Sequence, residues 1–367
     1  MRWLMGIKVL HTEWSDGWGG QEIRIINEMI AVREKGIEVF LACRDNSTIK
    51  NKAIENNIKV FTLPFRGNVD FKTMFALIKI VKEYKIDIIN THSGKDTWVG
   101  GLAAKFSGAK FIRTRHLSNK IRSSRLNFIN ELADYVFTTG ESVKADMIKY
   151  NRINPNKIVS IASGIDEKIF DPNLYDIAES KKLFKMDDSI IIGNVAVLRD
   201  CKRHDNFLEI ARRLIDSYKD KKFKFYIAGE GPMRDFVENK IKELSLENDV
   251  ILLGHISNVP QFLKTLDIFL FTSDEREGVP QSVMQALLMN KNVVSTNDGS
   301  TSDLYKENNF LISDVDLESV YKNVCKMVEN LDNKNFLNLD RNFIVENFSK
   351  DSSTKKIINC YNEMLTV

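Results

Sequence analysis

Cysteine is scarce in this sequence, and what there is lies dispersed. Cys43, Cys201, Cys325 and Cys360 are the only four in 367 residues, and no two form a C-x-x-C pair. That excludes a disulfide framework and a cysteine-based zinc site, and it points to a reducing cytoplasm. No apolar run approaches the roughly 20 residues that cross a bilayer, and the N-terminal apolar run is too short for a signal peptide. Low-complexity tracts and short-period repeats are both missing. A net charge of +3 is too near neutral for bulk nucleic-acid affinity. One absence is local: Thr97 to Asn130 contains no Asp or Glu, yet Lys105, Lys110, Arg113, Arg115, Lys120, Arg122 and Arg125 all fall there.

What is present is a rhythm of short apolar runs and amphipathic stretches. Strands are expected at Ile7–His11, 37–42, 58–63, 86–90, 110–113 and 135–138, with helices between them, including Gln21–Lys35 and Phe71–Tyr84. The rhythm breaks between Ser163 and Asp187, where charge and Pro172 replace apolar periodicity. It resumes with strands at 190–197, 223–228, 250–253, 268–271 and 292–295, and the chain ends in a helical stretch, 352–365. Near-continuous apolar strands alternating with helices predict an α/β protein of two doubly wound, Rossmann-like parallel-sheet domains. The expected domains are 1–170 and 171–349, with 350–367 as a closing helix.

Ligands of open parallel sheets bind beyond the carboxyl ends of the strands, so polar residues at strand exits are the candidates. His11, His92, His116 and His255 stand at or just after strand ends, and His204 shortly after another. No pair has metal-ligand spacing, and a hydrogen-bonded structural role is the commoner fate of any one of them. The loop Asp16-Gly17-Trp18-Gly19-Gly20-Gln21 opens a helix, where glycines let backbone approach a phosphate or sugar. It does not match G-x-G-x-x-G, and a plain connecting turn is an equal alternative. Arg199 and Lys202 follow a buried strand and suit a diphosphate, Arg as a planar fork and Lys as a point charge. Gly229-Glu230-Gly231-Pro232 and Leu253-Gly254-His255-Ile256 are two more strand exits, either of them readable as punctuation. The run Ile268–Phe271 leads into Thr272-Ser273-Asp274-Glu275-Arg276-Glu277-Gly278-Val279-Pro280, a strand, an acidic glycine turn and a helix start with Pro280 in its first turn. Such a geometry aims backbone N–H groups and a positive dipole end at an anion.

Taken in order, these pieces resemble the retaining glycosyltransferases of family 4, which have the two-domain GT-B fold with a cleft between the domains. The resemblance runs through Gly19-Gly20, Ile112–His116, Gly164-Ile165-Asp166, Arg199/Lys202, Gly229–Pro232, Leu253–His255, Glu277–Pro280 and Asp298-Gly299-Ser300, nearly the whole chain. It implies that Arg199 and Lys202 hold the donor diphosphate. Glu277 matches the first acid of the family's E-x7-E pattern, which binds donor-sugar hydroxyls together with the backbone amides that follow, and Gly278, Val279 and Pro280 are the donor-binding residues after it. His116 matches a histidine near the donor sugar, Gly19 and Gly20 the glycine loop of the first domain, and Gly254, His255 and Ile256 the strand exit beside the base. Gln285 stands where the second acid of that pattern binds ribose, which keeps an acceptor but removes the charge. Val197 replaces a basic residue that many members carry, with Arg199 just after Leu198 instead, as in bacterial surface-polysaccharide members.

The implied reaction moves a sugar from a nucleotide-diphosphate donor to a hydroxyl of a saccharide or glycolipid, with retention and without an enzyme nucleophile. No D-x-D in the sequence is convincing as a metal motif, which adds an expectation of metal independence, with no cofactor. The first domain is expected to meet the acceptor, its acid-free stretch facing an anionic glycolipid or the inner face of the membrane, or merely keeping the domain soluble. The closing helix is expected to cross back onto the first domain, as in the family. The rival readings are a GT-B sugar-nucleotide epimerase or phosphorylase, a two-domain sugar-binding protein, and a degenerate homologue altered at Gln285.

Overall fold

A computed structural model of the chain describes residues 6–116, 121, 125–274 and 278–366. The chain divides into two compact units, Met1–Gly164 together with Lys350–Val367, and Ile165–Ser349.

The first unit is built on a wholly parallel sheet of β1 (Lys8–Glu13), β2 (Glu38–Cys43), β3 (Lys59–Thr62), β4 (Ile88–Thr91), β5 (Lys110–Arg115), β6 (Tyr135–Thr138) and β7 (Ile158–Ser160). Its spatial order is β3-β2-β1-β4-β5-β6-β7. Both faces are covered, so successive residues of one strand enter different cores. Val9, Leu41, Ile88 and Ile112 pack with Ile25, Met29 and Val32 of the helix Gly20–Arg33 and with Ile357, Ile358, Tyr361 and Met364 of the helix Lys350–Thr366. Leu10, Phe40, Ile89 and Phe111 face the other way, onto Met74 and Leu77 of the helix Phe71–Tyr84 and Val99 and Ala103 of the helix Gly94–Ser107.

The second unit repeats the plan with six parallel strands, β8 (Ile190–Val195), β9 (Phe223–Ala228), β10 (Val250–Gly254), β11 (Ile268–Phe271), β12 (Asn292–Thr296) and β13 (Leu311–Ser313). Their order is β10-β9-β8-β11-β12-β13. One core joins Ile192, Phe225, Ile227 and Leu270 to Phe207, Ile210 and Leu214 of the helix His204–Ser217 and Val320, Val324 and Met327 of the helix Leu317–Glu329. In each unit the strand order reverses once, between β1 and β4 and between β8 and β11. Those reversals part the loops at the strand carboxyl ends and open a crevice there.

Candidate active site

In the second unit, the exits of β8 and β11 are tied together at the reversal. Thr272 Oγ1 donates to the carbonyls of Lys202 at 2.9 Å and Arg203 at 3.1 Å. Ser273 Oγ donates to Cys201 O at 2.9 Å, and the Asp274 N–H donates to the same carbonyl at 3.0 Å. Buried Asp298, beyond β12, accepts from Ser273 Oγ at 3.2 Å. Arg203 completes the knot: its Nη1 bonds Asp274 at 2.8 Å, and its Nε and Nη2 grip the Asp205 carboxylate at 2.9–3.2 Å. Those carboxylates push the guanidinium pKa up, and the guanidinium in turn holds Asp205 below the ordinary carboxylate range against its partial burial. Arg203 adopts φ 49°, a left-handed conformation unfavourable for a side chain of this size, and its two carboxylate partners hold it there.

The knot places Lys202 at the reversal, half-buried, with Nζ 5.2 Å from the Phe271 ring centre. Arg199 lies on the other side of the turn Asp200–Lys202. It is exposed and lines a small pocket with Asp200, His204, Asp205, Met233 and Phe236. The two cations therefore diverge, and only Lys202 stands against β11. Glu277 lies in 275–277, outside the described residues. Gly278, Val279 and Pro280 follow, and the helix Gln281–Leu288 begins with Pro280 as its cap rather than in its first turn, because ψ 119° at Pro280 is still extended. The first N–H groups of that helix lack intrahelical partners, as at any helix start. Gln285 is half-buried on the same helix.

Glycines on the other flank have a structural reason. Gly229 takes φ 153°, and a Cβ there would lie 1.8 Å from Ala196 O; one on Gly231 would lie 2.5 Å from Leu198 O. The Gly229–Gly231 turn is thus a buttress for the β8 exit, with Leu198 N donating to Glu230 O at 3.0 Å. Gly254, at φ 67°, receives the Gly229 N–H at 2.8 Å, and it is followed by exposed His255 and half-buried Ile256. His204, in the pocket with Arg199, is buried with neither ring nitrogen bonded among the described residues, and burial with Lys202 nearby lowers its pKa to about 4.

In the first unit, Gly19 caps the helix Gly20–Arg33 and donates its N–H to Glu22 Oε2 at 2.8 Å. Neither glycine has a positive φ, and a Cβ on Gly20 would meet nothing within 4 Å. Behind this loop Glu13 is buried at the end of β1, accepting from Ser15 N at 2.7 Å and Gln21 Nε2 at 2.5 Å. Burial, then the nearby Asp96 charge, push its pKa up to about 7. Asp96 itself takes four bonds, from Thr12 Oγ1, His92 N, Ser93 N and Ser93 Oγ, at 2.6–2.9 Å.

Three of the five histidines come together at the same edge. His11 Nδ1 lies 2.9 Å from His92 Nε2, and His92 Nδ1 lies 2.9 Å from His116 Nε2. Burial, aided by Arg24, Arg113 and Arg115, drives the His116 pKa well below its ordinary value, and burial takes His11 down to about 3. The basic stretch from Thr97 to Asn130 proves less of a surface than its composition suggests. Arg113 is buried and bonds Thr91 O and Thr114 O, and Lys105 pairs with Asp134 at 2.9 Å. Lys120, Arg122 and the side chain of Arg125 lie outside the described residues. Among those described, no cluster of His, Cys, Asp and Glu is arranged to hold a metal ion, and no helix is long and apolar enough to cross a membrane.

Residues 18–168 match the family model "Glycosyltransferase Family 4", and residues 176–344 match "Glycosyl transferases group 1". The Escherichia coli UDP-Gal:alpha-D-GlcNAc-diphosphoundecaprenol alpha-1,3-galactosyltransferase is 25% identical, over 98% of this chain and 97% of that one. A Rickettsia africae glycosyltransferase structure superposes with a TM-score of 0.86 at 21% identity, covering 98% of both chains. Anabaena HepE in complex with UDP gives 0.82 at 16% identity, over 97% of this chain and 100% of that one. With both sheets, both reversals and both family models in agreement, the chain belongs to the family 4 glycosyltransferases and has their GT-B fold.

Proposed function

We propose that this enzyme transfers a sugar, with retention of configuration and without a metal ion, from a nucleotide-diphosphate donor to a hydroxyl of a lipid-linked saccharide in bacterial surface-glycan synthesis. The knot between the β8 and β11 exits carries this reading. It sets Lys202 against β11, the strand that leads on to Glu277 and the helix Gln281–Leu288, and in this reading a fixed cation and a helix N-terminus serve one anion. Lys202 neutralises the departing diphosphate, and Arg199 supplies a second, more exposed charge. These two and the helix start supply the electrostatic stabilisation that a metal ion gives elsewhere. Glu277 and the amides of Gly278 and Val279 hold the donor-sugar hydroxyls, and Gln285 the ribose. Gly254, His255 and Ile256 lie along the base. Gly19, Gly20 and His116 are assigned to the donor sugar from the first unit. The E. coli relative's diphosphoundecaprenol acceptor supports a lipid-linked acceptor here.

An enzyme with such an acceptor works at the inner face of the membrane, and the helix Phe71–Tyr84 supports that location. Phe71 and Phe75, each 63% exposed, share a stripe with exposed Lys79 and Lys82, apolar anchors with charges that favour anionic headgroups.

The test is transfer from UDP-galactose and other nucleotide sugars to a synthetic polyprenyl-diphosphate saccharide, with the product's anomeric configuration read by NMR. Lys202→Ala and Glu277→Ala are each expected to lower turnover roughly 100-fold or more, and EDTA to leave it unchanged. Normal turnover in both variants overturns the site assignment, an inverted product the mechanism, and loss in EDTA the metal independence. Equal sedimentation of the wild type and a Phe71→Ser/Phe75→Ser variant with anionic vesicles removes the membrane contact.

A further inference from the structure

His11, His92 and His116 stand on neighbouring strand ends, β1, β4 and β5, far apart in sequence but consecutive across the sheet. Two N···N contacts of 2.9 Å join them into a row, with the His11 and His92 ring planes 9° from parallel and the His92 and His116 planes 30° apart. Both ends of the row, His11 Nε2 and His116 Nδ1, are buried and have no hydrogen-bond partner among the described residues. Buried polar atoms are as a rule hydrogen-bonded, to protein, ordered water or a ligand, so two bare ends in one row call for partners.

A neutral imidazole has one N–H and one lone pair. Two shared bonds therefore couple all three rings, and only two arrangements of protons satisfy the row. Either every Nδ1 carries hydrogen, making His116 Nδ1 a donor, or every Nε2 does, making it an acceptor. The charged groups that decide between them are Arg24 from the helix Gly20–Arg33 and Arg113 and Arg115 from β5, which all act on His116. Glu28 faces Arg24, while Asp96 and Glu13 face Arg113. No charged group acts comparably on His11. The lone-pair end of the row is thus favoured beside the arginines and the N–H end at His11.

We propose that His11 and His92 are positioning residues, which fix the ring plane of His116 and keep its proton on Nε2, so that Nδ1 presents a lone pair to a donor-sugar hydroxyl. The proposal rests on the assignment of His116 to the donor sugar, and its core can be measured without any donor. In the full-length protein labelled with ¹⁵N-histidine, two-bond ¹H–¹⁵N spectra report the tautomer and charge of each ring. The expected result is three neutral Nε2–H rings that do not titrate between pH 8 and pH 5. In His92→Phe, His116 is expected to lose the pure Nε2–H form or to begin titrating in that range. His11→Phe, which removes only the terminal ring, is expected to change His92 in the same way, and it serves if His92→Phe does not fold.

With UDP-galactose as donor probe, His92→Phe is expected to raise donor KM about tenfold and to add an acid limb to a kcat/KM profile that is flat in the wild type. Three histidines titrating independently near pH 6.5, or an Nδ1–H His116 in the wild type, overturns the proposal. So does a His116 signal indifferent to His92→Phe. A locked row in which His116→Asn nonetheless leaves donor KM unchanged keeps the positioning and overturns the sugar assignment instead.

Discussion

Individual glycines separate into those the fold needs and those it does not. Gly229 cannot accept a side chain, because its Cβ would sit 1.8 Å from the Ala196 carbonyl. Gly229→Ala is expected to cost about 3 kcal/mol in urea unfolding, with loss of the β8 exit it buttresses. Gly20→Ala meets open space in the first turn of a helix, and should be neutral to about 0.5 kcal/mol more stable. If the backbone at Gly20 approaches the donor, the same change raises donor KM; unchanged kinetics would return the loop to a plain connecting turn. A sequence shows the two glycines as identical punctuation, since what tells them apart is the chain that crosses Gly229 from thirty residues upstream. His204 carries a pH dependence of the same local origin. Its folded pKa, about 4, lies below the ordinary 6.5 because the buried ring is disfavoured as a cation. The unfolded chain therefore binds the proton between pH 6.5 and 4 while the folded one does not, and stability falls as the pH drops through that window. Unfolding of the second unit in urea at pH 7.5 and pH 5 should show the decline, and His204→Leu should reduce it. The first unit is a poorer place to look, because raised Glu13 and Glu28 act with the opposite sign to lowered His11.

Between elements, Arg203 is the residue that periodicity could not single out. It follows Lys202 in a charged run that looks solvated, yet it links the β8 exit to Asp274, the last described residue before Glu277. Arg203→Gly removes the guanidinium while easing the φ 49° backbone, whereas Arg203→Ala removes the guanidinium and keeps the strain, so the alanine variant is expected to be the less stable by about 1 kcal/mol. A double-mutant cycle of Arg203→Gly with Asp274→Asn should give a coupling of about 1 kcal/mol in stability and non-additive effects on donor KM. Additive effects would mean the bridge is incidental. Strands inside the sheets were legible, with Tyr135–Thr138, Phe223–Ala228 and Ile268–Phe271 lying where apolar runs put them. β7 and β13 were not, because three residues at a sheet edge are too few to carry a period. The histidines illustrate the same limit. Their recurrence at strand ends hinted at a shared edge, but only strand order shows that His11, His92 and His116 are neighbours and that His204 is not among them.

At the scale of the whole chain, two sheets with separate cores predict two unfolding transitions rather than one cooperative loss. The last helix makes the division testable. Ile357, Ile358, Tyr361 and Met364 are all buried in the core of the first unit, against Ile25, Met29 and Val32. At roughly 1.5–3 kcal/mol for each buried side chain, the helix contributes about as much as the entire stability of an ordinary domain, roughly 5–15 kcal/mol. A chain ending at Ser349 should therefore lose the calorimetric transition of the first unit while keeping that of the second, whose core contains none of these residues. Amphipathic spacing alone shows this helix only as a helix in need of a partner, since the surface it covers is assembled from the opposite end of the chain. A truncated protein that keeps both transitions would place the stability of the first unit in its sheet alone. Loss of both would show that the two units fold as one, despite their separate cores.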